Sequence, residues 1–287
     1  MRGGTHAGKR KLCICADDFG LHPAVDAGIL QLAARGRLQA ASVMSLGPAW
    51  AADAPALCAL ADAARQGPGL DIGLHLDLTA FTTPGLRHGL AWWIAASHLH
   101  LVDRPALAAE IDRQLAAFER HRGAPPDYID GHQHVHQLPV VRDSLLHALL
   151  QRWPQHRPWL RATRQARGPG DGAGQAFKRR VIEGLGARGL RDLARRHGLA
   201  QNRRLLGVYD FRGGEARYRQ LLAGWLAQAE DGDLLMCHPA IDSVPGDAIA
   251  AARVAEFAVL ASDAFAARCA SADLRLSAPS RWPPSGR

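Results

Sequence analysis

The chain has 287 residues, enough to bury a sizeable core as one large α/β domain or two ordinary ones, and its 47% hydrophobic and 22% charged residues are ordinary globular usage. No apolar run approaches the roughly 18 to 20 residues that cross a bilayer, which argues against a spanning protein. The five cysteines (Cys13, Cys15, Cys58, Cys237, Cys269) are scattered without a CxxC pair, which argues against a disulfide framework or zinc ribbon.

Charge and N-terminus add little. The net charge of +8 raises a nucleic-acid reading. Much of that charge is local, recurring densely from Arg161 to Arg204 in a stretch of helical character. It reads as a solvated arginine-rich helix, or as an attraction for an anionic partner such as a phosphorylated or lipid-linked substrate or a membrane surface. The stretch before Asp17 lacks the apolar segment of a secretory signal, so a cytoplasmic location is expected.

Along the chain, short apolar runs alternate with amphipathic stretches of helical length. In order, the pattern predicts strand 12–16, helix 24–35, strand 40–45, helix 51–65, strand 71–76, helix 105–122, strand 128–131, helix 139–152, strands 159–162 and 208–211, helix 215–229, strand 234–237 and helix 247–268. Repeated βα units of this number predict one α/β domain over 1–277, a distorted (β/α) barrel, with a doubly wound open sheet as its rival. Two segments break the rhythm and could cover a pocket: 79–103, rich in Pro, Gly, Trp and His, and 164–174, RQARGPGDGAG. The Pro- and Ser-rich tail 278–287 is expected to be disordered.

The residues that carry chemistry sit where these strands end, the place where parallel α/β folds build their sites. The first strand runs LCICA into Asp17 and Asp18. Neighbouring strand residues point to opposite sides, so at a frayed end one carboxylate can bind a cation while the other faces the pocket. The pair also reads as a helix N-cap. The third strand delivers His75, which taken alone reads more readily as a structural histidine than as a ligand. The fourth runs into DGHQHVH, where His132, His134 and His136 alternate and would share one side of an extended chain. Such a density of imidazoles points to metal ligation, because buried imidazoles need partners. An Asp-His-His set suits a divalent cation with positions left open for water and substrate. The last strand ends in Cys237, His238 and Pro239. His238 at that rim is a candidate general acid, and Cys237 reads as a small packed hydrophobe rather than a nucleophile. Trp92 and Trp93 read as core packing or as a surface for a sugar ring.

ADDFG at 16–20, GILQLAARGRLQAASVM in the helix that follows, GLHLDLT at 73–79, DGHQHVHQLP at 130–139 and CHPA at 237–240 resemble, in this order, the YdjC-like carbohydrate deacetylase family. That family includes diacetylchitooligosaccharide deacetylases and hopanoid-cluster relatives. The resemblance spans nearly the whole chain and implies a distorted barrel akin to polysaccharide deacetylases. It also implies hydrolysis of the N-acetyl amide of an amino sugar with a divalent cation, commonly magnesium, zinc or another ion being the alternative. Carried over by position, Asp18, His75 and His132 would hold the metal and Asp17 would be the general base. His238 would protonate the departing amine and Asp130 would orient a ligating imidazole. His134 and His136 would support the metal ligands from behind or touch substrate, and Arg161 would hydrogen-bond sugar hydroxyls or the acetyl oxygen. The insertion 165–206, with Lys178, Arg179 and Arg180, is longer and more basic than in chitobiose-type members. It reads as a lid, a homodimer contact or a site for a lipid- or nucleotide-linked sugar.

Other classes stay open on the residues alone. Another metal-dependent amidohydrolase or a phosphoesterase could use the same Asp-His-His set. A non-catalytic carbohydrate-binding barrel would not need Asp17 and His238 beside a metal. An N-acetylated sugar, and no nucleic acid, is the expected partner.

Overall fold

Strands buried on both faces need apolar residues at successive positions, and β1 (Arg10–Phe19) is buried throughout from Leu12 onward. In the computed structural model, which describes residues 9–165 and 183–282, β1 is the central strand. It is followed by α1 (Pro23–Ala34), β2 (Ala40–Val43), α2 (Trp50–Ala63), β3 (Asp71–Leu76), α3 (Leu90–His98), α4 (Arg104–Arg122), β4 (Tyr128–Gly131) and α5 (Pro139–Arg152). Then come β5 (Trp159–Leu160), α6 (Arg188–Arg196), β6 (Leu205–Leu206), α7 (Gly214–Gln228), β7 (Asp233–Cys237), α8 (Ala250–Ala261), α9 (Asp263–Ser271) and β8 (Leu274–Leu276).

The strands pair in parallel in the order β5-β4-β3-β2-β1-β7-β6, with β8 on β1. The path curls until its two ends meet through isolated parallel bridges, Leu160 with Gln201 and Gln165 with Leu205. The result is one distorted barrel with helices outside it. On β1 the Leu12 carbonyl accepts from Ser277 N and the Ile14 carbonyl from Gln39 N, so β8 and β2 occupy the same edge of β1 in tandem.

Alternation separates two cores. Cys13 and Cys15 point into the curl and pack with Tyr128, Trp159, Leu205, Leu234 and Met236. Leu12, Ile14 and Ala16 point outward into the layer shared with the helices. Among the described residues no helix is long and apolar enough to cross a membrane.

Five expectations change. The segment 79–103 is not irregular throughout: it holds α3, whose Trp93 is buried with its indole donating to Leu78 O at 2.9 Å. The strand expected at 208–211 lies earlier, at β6, because Gly207 turns away at φ 92°, where a Cβ would strike Met236 O. The helix expected over 247–268 is two helices, since Ser262 leaves the helical conformation and caps α9, accepting from Phe265 N. The strand β8 was not foreseen: only three residues long, it falls below any periodicity signal. The tail expected to be disordered from residue 278 takes a defined turn as far as Trp282. Buried Asp71 needs donors, and Ser280 supplies both N (3.0 Å) and Oγ (2.5 Å). Residues 166–182, with Lys178, Arg179 and Arg180, and residues 283–287 lie outside the described residues.

Candidate active site

The end of β1 breaks its own alternation. Ala16 pairs with Ala41 and Phe19 with Val43, so β1 carries one extra residue there, a bulge. Without it, Asp17 would face inward with Cys15, and Asp18 would face the helix layer with Ala16. Asp18 instead takes φ 72°, a left-handed conformation that aspartate tolerates better than most residues, and the turn brings it back over the end of the strand.

There Asp18 Oδ1 lies 3.3 Å from His75 Nε2 and 3.0 Å from His132 Nδ1. These three donor atoms lie within 4.8 Å of one another, close enough for one divalent ion with nitrogen and oxygen bonds of about 2.0 to 2.2 Å. His75 donates its Nδ1–H to Asp130 Oδ1 at 2.7 Å, which leaves Nε2 facing Asp18. The other oxygen of Asp18 accepts from Arg253 Nη2 at 2.7 Å, and Arg253 Nε donates to Asp247 at 2.5 Å. Burial raises the Asp18 pKa, but Arg253 and His132 outweigh it and hold the carboxyl well below its usual range. Burial likewise disfavours the charged form of His75, yet the carboxylates of Asp130 and Asp17 lift that imidazole to about 10. The cluster therefore draws positive charge, and the three residues fit a divalent cation.

Beneath it runs a second, fully buried network. Arg161 Nη1 donates to Asp17 Oδ2 at 2.6 Å, and Nη2 reaches Asp17 Oδ1 at 2.5 Å and Asp130 Oδ2 at 2.5 Å. Ser42 Oγ lies 3.2 Å from Asp17 and 2.7 Å from Asp130, and Tyr128 and Cys15 close the group. Burial opposes ionisation of Asp17, but the guanidinium wins and lowers its pKa. Cys15, Asp17 and Asp130 form a second possible donor cluster, and its positive charge is already supplied by Arg161. Arg161 was expected to meet the sugar. It lies instead at 0% exposure with its charge spent on two carboxylates.

His238 closes the mouth opposite, its Nε2 3.9 Å from Asp17 Oδ2 and its ring edge-on to Phe211. Its backbone N–H donates to Glu256 Oε2 at 2.6 Å, while Glu256 Oε1 accepts from Tyr209 OH at 2.8 Å. Burial pulls the His238 imidazole down to about 4. Cys237 packs in the helix-facing core, where burial raises its thiol, so it is the inert residue that alternation implied.

The remaining histidines do not share one side. Gln133 and His134 take φ 52° and 62°, so the tract coils into a tight turn instead of running extended. His136 ends at 0% exposure with Nε2 donating to Arg161 O at 3.0 Å, out of reach of substrate. Burial lowers His134 to about 3 and His136 to about 4. His134 stays partly exposed. Ser42, Tyr128, Arg253 and Glu256 were not singled out in the sequence. The available signals were a lone serine in the apolar run AASV, and a charge pair at i, i+3 on the apolar face of α8.

The family model described as YdjC-like protein matches residues 11–271. A human carbohydrate deacetylase is 29% identical over 263 residues, covering 83% of this chain and 77% of its own. Its mouse counterpart is 30% identical over 261 residues, covering 82% and 79%. A chitooligosaccharide deacetylase of Serratia marcescens is 35% identical over 144 residues, 46% of this chain and 53% of that one. Among solved structures, a protein of Enterococcus faecalis named for cellobiose-phosphate cleavage superposes with a TM-score of 0.59 at 21% identity, covering 94% of this chain and 98% of that one, and shows the fold alone. The match begins in β1, ends in α9 and takes in the strand ends that carry Asp17, Asp18, His75, His132 and His238; the chain belongs to the YdjC-like family.

Proposed function

We propose that the chain removes an N-acetyl group from an amino sugar by metal-dependent hydrolysis of the amide bond. The observation that carries this reading is the convergence, at one mouth, of the Asp18-His75-His132 donor set with Asp17 and His238, in a chain whose relatives are named carbohydrate deacetylases.

Asp18, His75 and His132 would hold the divalent cation, magnesium being the first ion to test and zinc the second. A bound divalent ion supplies polarisation of the acetyl carbonyl and acidification of an attacking water. Asp17 is the base: the Arg161 guanidinium lowers its pKa and holds it ionised, the form that accepts the water's proton. His238 rests neutral, so it must gain a proton during the cycle before it can deliver one to the leaving amine. The proton that Asp17 takes from the water is the available source, its Oδ2 lying 3.9 Å from His238 Nε2. His134, partly exposed on the same turn as His132, is placed to meet the sugar.

Acetate release across a panel of N-acetyl sugars tests this, after chelation and reconstitution with magnesium, zinc, manganese or cobalt. We expect activity that returns with one of these ions and falls at least about 1,000-fold in Asp17→Asn and His132→Ala. Hydrolysis of phosphate esters without acetate release would favour the phosphoesterase alternative instead.

A further inference from the structure

Single exposed apolar side chains are normal on any surface, and their placement is what carries information. The large ones exposed among the described residues are Trp92 (40%), Leu99 (67%), Leu101 (71%) and Ile241 (40%). All stand at the end of the barrel that carries the site. Trp92 is on α3, and Leu99 and Leu101 are on the turn from α3 to α4, in the connection that leaves β3 just past His75. α3 itself packs against the His132–Gln137 turn. Ile241 follows His238 by three residues, its N–H donating to Ala24 O at the start of α1.

Basic side chains flank the same rim. Arg87 and Arg104 are exposed in the connection that bears the leucines. The turn Glu183–Ala187 lies against Gln137, so closely that a Cβ on Gly186 would strike Gln137 O. From that turn α6 descends with Leu190, Leu193 and Ala194 buried and Arg188, Arg191 and Arg195 outward. Arg195 is paired with Asp192 at 3.2 Å, and Asp103, also on the rim, is engaged as the cap of α4.

We propose that this rim docks the protein on the surface of an anionic phospholipid bilayer. Protruding aliphatics beside arginines match a bilayer interface, where the apolar tips enter below the headgroups and the guanidinium groups meet phosphates. A second copy of the chain fits less well. The apolar groups stand on separate loops around an open mouth, and in a face-to-face pair the exposed rim arginines of two copies would be brought together. The docking surface stands without the deacetylase reading; together they place the site against the membrane.

Flotation of the purified protein with vesicles of phosphatidylcholine alone, or with about one-third phosphatidylglycerol, tests the proposal. The anionic vesicles should bind at least about tenfold more strongly, with an advantage that shrinks at high salt. Leu99→Ser/Leu101→Ser should weaken binding about tenfold, and Leu99→Phe/Leu101→Phe should retain it. Arg188→Glu/Arg191→Glu should weaken binding and flatten the salt dependence. Equal partition on both vesicle types, unchanged flotation of the serine and glutamate variants, or a solution dimer dissociated by the serine pair would overturn it. Acetate release from a soluble N-acetyl sugar is read separately, so loss of that activity with flotation intact would count against the catalytic reading alone.

Discussion

Arg253 and Arg161 illustrate how few residues decide the site's geometry. Each grips one carboxylate of the Asp17-Asp18 pair, from opposite sides of the barrel wall: Arg161 from the end of β5, Arg253 from α8. Removing one partner of a buried ion pair leaves the other charged and unpaired, which costs about 3 to 5 kcal/mol. Arg253→Met should therefore lower the unfolding free energy by that amount, read from urea unfolding, and weaken metal affinity, since Asp18 loses the contact that turns Oδ1 toward the histidines. Calorimetric titration of the metal reads the second effect independently of catalysis. Unchanged stability and affinity would show that Arg253 is a bystander. Arg161→Lys should retain the charge but lose the fork that meets Asp17 through two nitrogens, lowering kcat more than it raises KM.

At the scale of the element, the strands were readable because a parallel sheet buried on both faces requires continuous apolar runs, as in LCICA or DIGLHL. Short strands such as β8 give no such signal, and glycine at Gly207 overrides the apolar run VYDF. The bulge in β1 was not readable either, because it is an extra residue relative to β2, a relation between two strands. The interior face sets similarly non-local limits. Gly73 stands on β3 where a Cβ would lie 2.5 Å from the Tyr128 ring, which is stacked on Trp159 at 4.1 Å and bonded to Ser42 Oγ at 2.7 Å. Gly73→Ala should cost about 1 to 3 kcal/mol through overpacking, measured by thermal or urea unfolding. Acetate release should fall with it, because Ser42 touches both Asp17 and Asp130. A variant as stable as the parent would mean that the aromatic pair can move aside.

For the whole molecule, the buried titrating groups set the pH dependence of stability. Burial raises Asp26 to about 8, Glu256 to about 7 and Asp71 to about 6. Each binds its proton more tightly folded than unfolded, so its stabilisation is lost as pH rises from the ordinary carboxyl range through these values. His75, raised to about 10, likewise loses its contribution as pH rises above its ordinary 6.5. His134, His136 and His238 are lowered, so their contribution is complete above 6.5 and is lost as pH falls. Just above that pH only losses with rising pH remain. The urea midpoint of the chelator-treated protein should fall from pH 6.5 to 8, by the equivalent of about 1 kcal/mol per pH unit per titrating group. Asp26→Asn keeps an acceptor for Gly20 N and should flatten the slope. A midpoint rising over that interval would contradict the burial of these groups.

The parallel α/β class, the family and the strand-end positions of Asp17, Asp18, His75, His132 and His238 were legible in the residue order, because periodicity and residue identity are local properties. The pairings are not local. Arg161 meets Asp17 across 144 residues and Arg253 meets Asp18 across 235. The fold also turned Arg161 and His136 from sugar contacts into buried supports. Alternation tells which face a side chain occupies, but the partner it meets there depends on how the sheet curls and where it bulges.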